Sequence, residues 1–419
     1  MDRAIVWGLI SCLMTGWPFC AVLFIPLGFK AVYLSYVNNG KGGNSIASVM
    51  KLLLRVVGYS IMIQTVVSSV DYIYYGKILS PTWNIFVYNT GWGGDGINRD
   101  ELYGVEDVSY YVKNLILNWN GVAVMGVLAL PLLVLKHLVS SRTVASKDEC
   151  NIERLAVILL PAYLWMAIVF SRPHKEERFL FPIYPLLAIG AAIVLNQAID
   201  ATGICSIVEK FIHRDTTTIK MYTTMVILLP FVLLSISRSV LLSDGYTAPL
   251  KLYTELHHII INTEANSLSS HRKGPILICT GGEWYRFPSS YHLPDKTRLA
   301  YLKSSFDGQL PQPFTEFGSR NESLEHQGRF NDLNEEEMDR YINISDCSYV
   351  IDLVHDNSSD ESSEVFRYMK EDDHKWQMVS SFDFLDVERT PSLHRILYLP
   401  FVRGASYKQY AIFQRINQH

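Results

Sequence analysis

The stretch LAVILLPAYLWMAIVFSRPHKEERFLFPIYPLLAIGAAIVLNQAI, residues 155–199, holds two apolar runs on either side of a short charged turn. Crossing a bilayer takes about 20 mostly apolar residues in helical form, within a range of about 17–25. Leu155–Ser171 and Phe179–Ile199 both fit that length. Between them, Arg172-Pro-His-Lys-Glu-Glu-Arg178 packs three cations, two carboxylates and a histidine into seven residues. Two spans and a tight polar turn read as a membrane helix hairpin.

Working outward, four further segments have the same character: Ala4–Phe29, Leu52–Val70, Asn114–Leu135 and Met221–Ser237. Leu52–Val70 carries Arg55, whose long stem reaches an interface from near a helix end. Six such segments within some 240 residues argue against buried helices of a soluble protein. The chain divides accordingly into a transmembrane region, 1–243, and a soluble region, 244–419. Residues 1–243 hold 19 Lys and Arg against 15 Asp and Glu; residues 244–419 hold 18 against 26. The 419 residues are 49% hydrophobic and only 19% charged, which excludes a collagen, a disordered chain and a disulfide-dense miniprotein.

Orientation follows from Lys and Arg in the connecting loops. Loops 30–55, 136–154 and 198–220 contain eleven; 71–113 and 172–178 contain six. The first set is expected to be cytoplasmic, with the 172–178 turn and the region after 243 on the far side. Three N-x-[ST] tripeptides in that region, at Asn321, Asn343 and Asn357, are glycan acceptors only in the secretory lumen. Cys279 and Cys347 are the only cysteines after residue 243. An oxidising lumen permits them to pair, and two buried strand thiols are the alternative. The chain starts Met1-Asp2-Arg3 directly before an apolar run, without the features of a cleavable signal peptide. The helix count puts Met1 in the lumen, so a further amino-terminal portion is expected.

The soluble region reads as a helical linker, 244–270, followed by an α+β or α/β domain. Its expected strands are Ile276–Cys279, Tyr349–Leu353, Gln377–Phe382, Ile396–Phe401 and Tyr410–Gln414. The acidic Asn331–Asp339 reads as a solvated helix. The glycines of 91–96 follow no strand and open no helix, so they make a loop and not a phosphate cradle. No metal-ligand cluster, cofactor motif or nucleic-acid module is visible, so no metal, no cofactor and no nucleic-acid partner is expected.

Two constellations carry chemistry. In the turn, Lys175 and Arg178 suit a phosphate presented by a lipid, one as a point charge and the other as a fork. His174 is placed to donate to the same group, and Glu176 and Glu177 to meet a sugar or lipid headgroup. An internally paired interfacial charge cluster is the plainer reading. The second constellation is Asp71-Tyr-Ile-Tyr-Tyr75-Gly-Lys77 with Pro81, Asn84, Tyr88 and Asn89. Its tyrosines fit an aromatic belt; Asp71, Tyr75, Lys77 and Asn84 together suit sugar hydroxyls and a headgroup.

The run HKEERFLFPIYPL beginning at His174 resembles the signature of the endoplasmic-reticulum mannosyltransferases that use dolichyl-phosphate mannose, glycosyltransferase family twenty-two of the GT-C superfamily. Within that family it is most similar to the α-1,2-mannosyltransferase branch of asparagine-linked glycosylation. Further matches are Gly16-Trp-Pro-Phe19, Asp71–Lys77, Tyr103-Gly104, Ser237-Arg-Ser239, Glu283-Trp-Tyr-Arg-Phe-Pro-Ser-Ser290 and Gly308-Gln-Leu-Pro-Gln-Pro313. The resemblance implies a GT-C-like polytopic membrane protein of the endoplasmic reticulum with a luminal carboxy-terminal domain. It implies inverting α-1,2 mannose transfer from dolichyl-phosphate mannose to a dolichyl-diphosphate-linked oligosaccharide, among membrane lipids. His174, Lys175 and Arg178 would hold the donor phosphate. The family's first luminal loop, where its catalytic carboxylate is expected, has no counterpart in this chain, and the family's Pro-Trp after Tyr-Gly is replaced by Asp107-Val108. The alternatives are a non-catalytic fragment or splice form acting as a lipid-binding or regulatory module, and a transporter. The transporter lacks support, because charges within the spans are scarce and no repeated interrupted helices are seen.

Overall fold

The computed structural model describes residues 2–14, 17–38, 45–91, 101–140, 147–203, 207–208, 215–266, 274–311, 331, 333–354, 364–371 and 376–416. The chain forms two compact units, Met1–Phe231 and Val232–His419.

The first unit is helical: α1 (Asp2–Leu9), α2 (Ala21–Asn38), α3 (Ser45–Tyr75), α4 (Pro81–Thr90), α5 (Ser109–Ser140), α6 (Lys147–Ser171) and α7 (Tyr184–Thr202), then α8 (Thr216–Gly245), which runs on into the second unit. Six helical segments among the described residues are long and apolar enough to cross a membrane. Large apolar side chains such as Leu54, Val66 and Val226 point outward from them, as suits a hydrocarbon solvent. The expected first span, 4–29, is divided. After α1 comes a π-helical turn, Ile10–Met14, and a 3₁₀ turn, Pro18–Cys20, leads into α2. Pro18 at the head of that turn lacks an N–H and has a preset φ, so it starts a helix more readily than it continues one.

Contacts among α5, α6 and α7 form the core of this unit. Gly126 and Gly190 let α5 and α7 approach closely; a Cβ on Gly126 would lie 2.6 Å from the Leu187 carbonyl oxygen. Pro131 inside α5 has no N–H for the Val127 carbonyl four residues back. The Tyr163 hydroxyl of α6 donates to that carbonyl at 2.6 Å and accepts from the Leu130 N–H at 3.0 Å. A proline in a membrane helix thus has its freed acceptor satisfied by a neighbouring helix. Nearer its start, α5 is interrupted at Asn120, which has φ 49° and ψ −134°.

The second unit holds a five-stranded mixed sheet in the order β2-β1-β3-β5-β4. The strands are β1 (Ile276–Thr280), β2 (Thr297–Tyr301), β3 (Tyr349–Val354), β4 (Trp376–Leu385) and β5 (Tyr407–Arg415). β1 runs parallel to β2 and β3, and β5 is antiparallel to β3 and β4. Alternation along the strands sends Ile278, Ile351 and Ile412 to one face and Cys279, Val350 and Phe413 to the other. On the first face lies α9 (Ala248–Asn266), burying Ala248, Leu252, Tyr253, Leu256 and Ile260 at helical spacing. On the second lies α10 (Glu364–Glu371), with Val365 and Met369. The segment expected as a linker is therefore half of a core. Cys279 of β1 and Cys347, just before β3, are joined by a disulfide.

Three expectations need correction. β2 was not anticipated; it is a short edge strand with an exposed arginine, Arg298. Ile396–Phe401 is no strand: a 3₁₀ turn at Ser392–Arg395 and Pro400 keep this apolar run out of the sheet. The acidic 331–339 stretch is not helical where it is described. The Asn331 carboxamide oxygen there accepts from the Leu333 and Glu335 N–H groups, competing with helical pairing, and only a 3₁₀ turn, Met338–Arg340, follows.

Candidate active site at the charged helix hairpin

The turn 172–178 is held from both sides. Apolar anchors come first: Leu180 and Ile183, in a 3₁₀ segment Glu177–Ile183, are fully buried against Tyr111, Trp165 and Leu187. The buried Trp165 indole donates to the Phe179 carbonyl at 2.6 Å. Pro182 and Pro185 flank the entry to α7, so the backbone here cannot run straight into a helix and leaves polar groups to be satisfied locally.

The charged residues of 174–178 separate into three sets. His174, Glu176 and Arg178 form the outer set. The His174 Nε2 lies 3.0 Å from Glu176 Oε1, the Arg178 guanidinium pairs with the same carboxylate, and His174 Nδ1 lies 3.0 Å from the Gly104 carbonyl. Desolvation pushes the Glu176 carboxyl up, but its hydrogen bonds and charge contacts with His174 and Arg178 outweigh that and hold it below the usual carboxylate range. The Arg178 side chain is 68% exposed, whereas His174 and Glu176 are partly buried, so this set presents a cation outward on a paired imidazole and carboxylate.

Lys175 is the second set. Expected to face a donor phosphate, it is instead turned inward and 6% exposed. Its ammonium donates to the Glu106 carbonyl at 2.8 Å and to the Arg172 carbonyl. Those two carbonyls lie outside any helix or strand and need donors. The Glu106 N–H in turn donates to the Pro173 carbonyl at 3.1 Å. The turn is thereby bonded to the loop before α5. In that loop Asp107 accepts from the Ser109 N–H at 2.9 Å and caps α5. Hydrogen bonds from Ser109 and Val108 hold the Asp107 carboxyl below its ordinary range.

Glu177 is the third set, facing the helices. It accepts from the Asn118 carboxamide and, at 3.4 Å, from the Tyr184 hydroxyl. Trp119 packs against Tyr184 with ring centroids 5.1 Å apart. The sequence reading missed Asn118 and Tyr184. Asn118-Trp-Asn-Gly121, a polar tetrapeptide inside the apolar run of α5, was the signal available for the first of them.

The second constellation is placed more loosely. Asp71 is half-buried, with its Oδ2 shielded and unpartnered among the described residues, while Tyr75, Lys77 and Asn84 are exposed. The hairpin reaches this region at Asn89, whose carbonyl accepts from the Arg172 guanidinium. α4 is capped by Ser80 and stopped by Gly91 at φ 65°, and Thr82 donates to the Leu13 carbonyl at 3.0 Å. Trp17 lies 5.8 Å from Phe179, and Phe19 lies 6.1 Å from Phe86, so Trp17 and Phe19 link the hairpin and α4. In the second unit Asn343 is exposed, with its side chain accepting from the Ser345 N–H at 3.2 Å. Asn321 and Asn357 lie outside the described residues. No group of three or more potential metal ligands occurs among the described residues.

Comparisons with known proteins bear on this arrangement. The chain is 34% identical to the α-1,2-mannosyltransferase ALG9 of Mus musculus over 416 residues, covering 97% of this chain and 62% of the relative. It is 31% identical to the Saccharomyces cerevisiae ALG9 enzyme over 395 residues, covering 92% and 60%. A weaker match, 24% over 188 residues, is to GPI mannosyltransferase 3 of Debaryomyces hansenii. The chain thus spans about three fifths of the length of the ALG9 relatives. Comparison with solved structures finds no match. The profile of the Alg9-like mannosyltransferase family matches residues 3–294, from α1 through the hairpin to the segment after β1, and the chain belongs to that family.

Proposed function

We propose that this chain takes part in the transfer of mannose, in α-1,2 linkage and with inversion, from dolichyl-phosphate mannose to a dolichyl-diphosphate-linked oligosaccharide in the lumen of the endoplasmic reticulum. The observation that carries the reading is the hairpin: Arg178 is exposed and paired to Glu176, with His174 on the same carboxylate, at the end of two apolar helices. A lipid phosphate leaving an anomeric carbon develops negative charge, and a guanidinium with an adjacent imidazole donor is chemically matched to it. Lys175 adds its charge from behind the turn while fixing its backbone. Asp71, Tyr75, Lys77 and Asn84 are assigned to the sugar or lipid headgroup, with Glu176 and Glu177 holding the cationic and tyrosine partners in place. The base that accepts the proton of the attacking hydroxyl is not assigned to a residue of this chain. No metal and no cofactor is invoked.

Sidedness in this reading rests on the loop cations, with the hairpin and the second unit both luminal. The exposed Asn343 acceptor and the Cys279–Cys347 disulfide agree with an oxidising, glycosylating compartment. The test is mannose transfer from dolichyl-phosphate mannose by membranes carrying the protein with Arg178→Ala or His174→Ala. Loss of transfer with normal membrane abundance supports the phosphate role; wild-type rates in both variants overturn it.

A further inference from the structure

The run Leu393–Val402 is an apolar feature of the second unit that the sheet does not absorb. Phe401 is 97% exposed, Leu393 and Val402 each 55%, and Tyr398 39%. Single exposed apolar residues need no explanation, but four within ten residues, with Pro400 also exposed, form a patch. Two arginines accompany it: half-buried Arg395, within the run, whose guanidinium donates to the Thr390 carbonyl, and exposed Arg403 directly after it.

Where the patch lies is given by two hydrogen bonds. The Tyr398 N–H donates to the Ser237 carbonyl at 3.3 Å, and the Ser237 hydroxyl donates to the Tyr398 carbonyl at 2.8 Å. Ser237 belongs to α8, and it closes the uncharged stretch 221–237 that lies between Lys220 and Arg238. Seventeen helical residues span about 25 Å at 1.5 Å each, close to the hydrocarbon thickness of about 30 Å. The bracketing cations mark its two edges, because lysine and arginine near helix ends reach for the headgroups. Ser237 therefore sits at one boundary between acyl chains and headgroups, and the Leu393–Val402 loop is bonded to α8 at that level.

We infer that this loop is an interfacial anchor: Leu393, Tyr398, Phe401 and Val402 enter the outer part of the leaflet beside α8, and Arg395 and Arg403 stay with the lipid phosphates. A tyrosine and a phenylalanine among aliphatic side chains, rimmed by arginines, match the chemistry of that zone. The same occupant explains why an apolar run with strand-like composition stays outside a sheet whose edge strands, among the described residues, are β2 and β4: its apolar partner is lipid.

The test uses the full chain with Cys12, Cys20, Cys150 and Cys205 replaced by serine, reconstituted into phosphatidylcholine vesicles. An environment-sensitive fluorophore is placed on Phe401→Cys, and on Val402→Cys as a second position. Leu229→Cys in α8 is the membrane reference, and Tyr291→Cys, at a site 96% exposed, is the aqueous one. The expected result is blue-shifted emission at 401 and 402 with quenching by lipids brominated near the glycerol end, at least twofold beyond that at 291. Emission and iodide quenching at 401 and 402 equal to those at 291, while 229 is quenched by brominated acyl chains, overturn the anchor and leave the membrane reading of α8 standing. Absence of acyl-chain quenching at 229 overturns both.

Discussion

The Lys175 ammonium and the Glu106 carbonyl are 2.8 Å apart, across 69 residues of sequence. This bond and its companion to Arg172 fasten the charged turn to the loop before α5, which also supplies the Gly104 carbonyl beside His174. Replacing Lys175 by methionine keeps the stem and removes both donors. Two partly buried carbonyls are then left without partners, at about 1–3 kcal/mol each. Lys175→Met is expected to lower the thermal unfolding midpoint in detergent and to cut mannose transfer at least tenfold, with Lys175→Arg retaining more of both.

Glu177 depends on Asn118 and Tyr184 for its hydrogen bonds. Asn118→Leu removes a donor from a carboxylate beside the apolar core and is expected to destabilise by about 1–3 kcal/mol. Replacing Glu177 by glutamine in the same chain removes the uncompensated charge and should restore part of that loss. A double-mutant cycle read by denaturation in detergent checks the coupling, and additive effects would show that the contact carries no energy.

The pH dependence of the outer set has a definite sign. The Glu176 carboxyl titrates below its usual value in the folded chain. Its pairing with His174 and Arg178 therefore stabilises fully above the unfolded carboxylate pKa, about 4.3, and that contribution is lost as pH falls through the folded value. Thermal midpoints measured from pH 7 down to pH 3 should fall more steeply for the wild type than for Glu176→Gln over the acidic part of that range.

Cys279 and Cys347 enclose a stretch 68 residues apart in sequence. Loop-closure entropy for that length is about 4 kcal/mol, within the measured span for native disulfides of about 2–5. Cys279→Ala with Cys347→Ala is expected to lose stability of that order, seen as proteolysis of the second unit at lower temperature, with the helices of the first unit retained in the membrane.

Much of this was legible in the amino-acid order for a simple reason. Hydrocarbon solvent imposes long uncharged runs, and 155–171 and 179–199 carry that signal without help from tertiary contacts. Helix α9 was harder: its Ala248, Leu252, Tyr253, Leu256 and Ile260 make a stripe, but polar neighbours made it look like a linker. β2 was illegible because an edge strand needs only one good face, and Ile396–Phe401 misled because apolar content alone does not distinguish a sheet partner from another apolar surface. At the site, the residue types at 174–178 made the charge cluster itself legible. That Lys175 turns inward while Arg178 turns outward depends on which carbonyls the proline-interrupted backbone leaves free, and side-chain type does not encode this.

The interruption at Asn120 has a geometric consequence. On one side of it, Asn118 and Trp119 are tied to Glu177 and Tyr184; on the other, Gly126 is locked against Leu187. The break at residue 120 lets these two contacts follow different helix directions, so α5 meets the charged turn with one segment and makes its close crossing with α7 with the other.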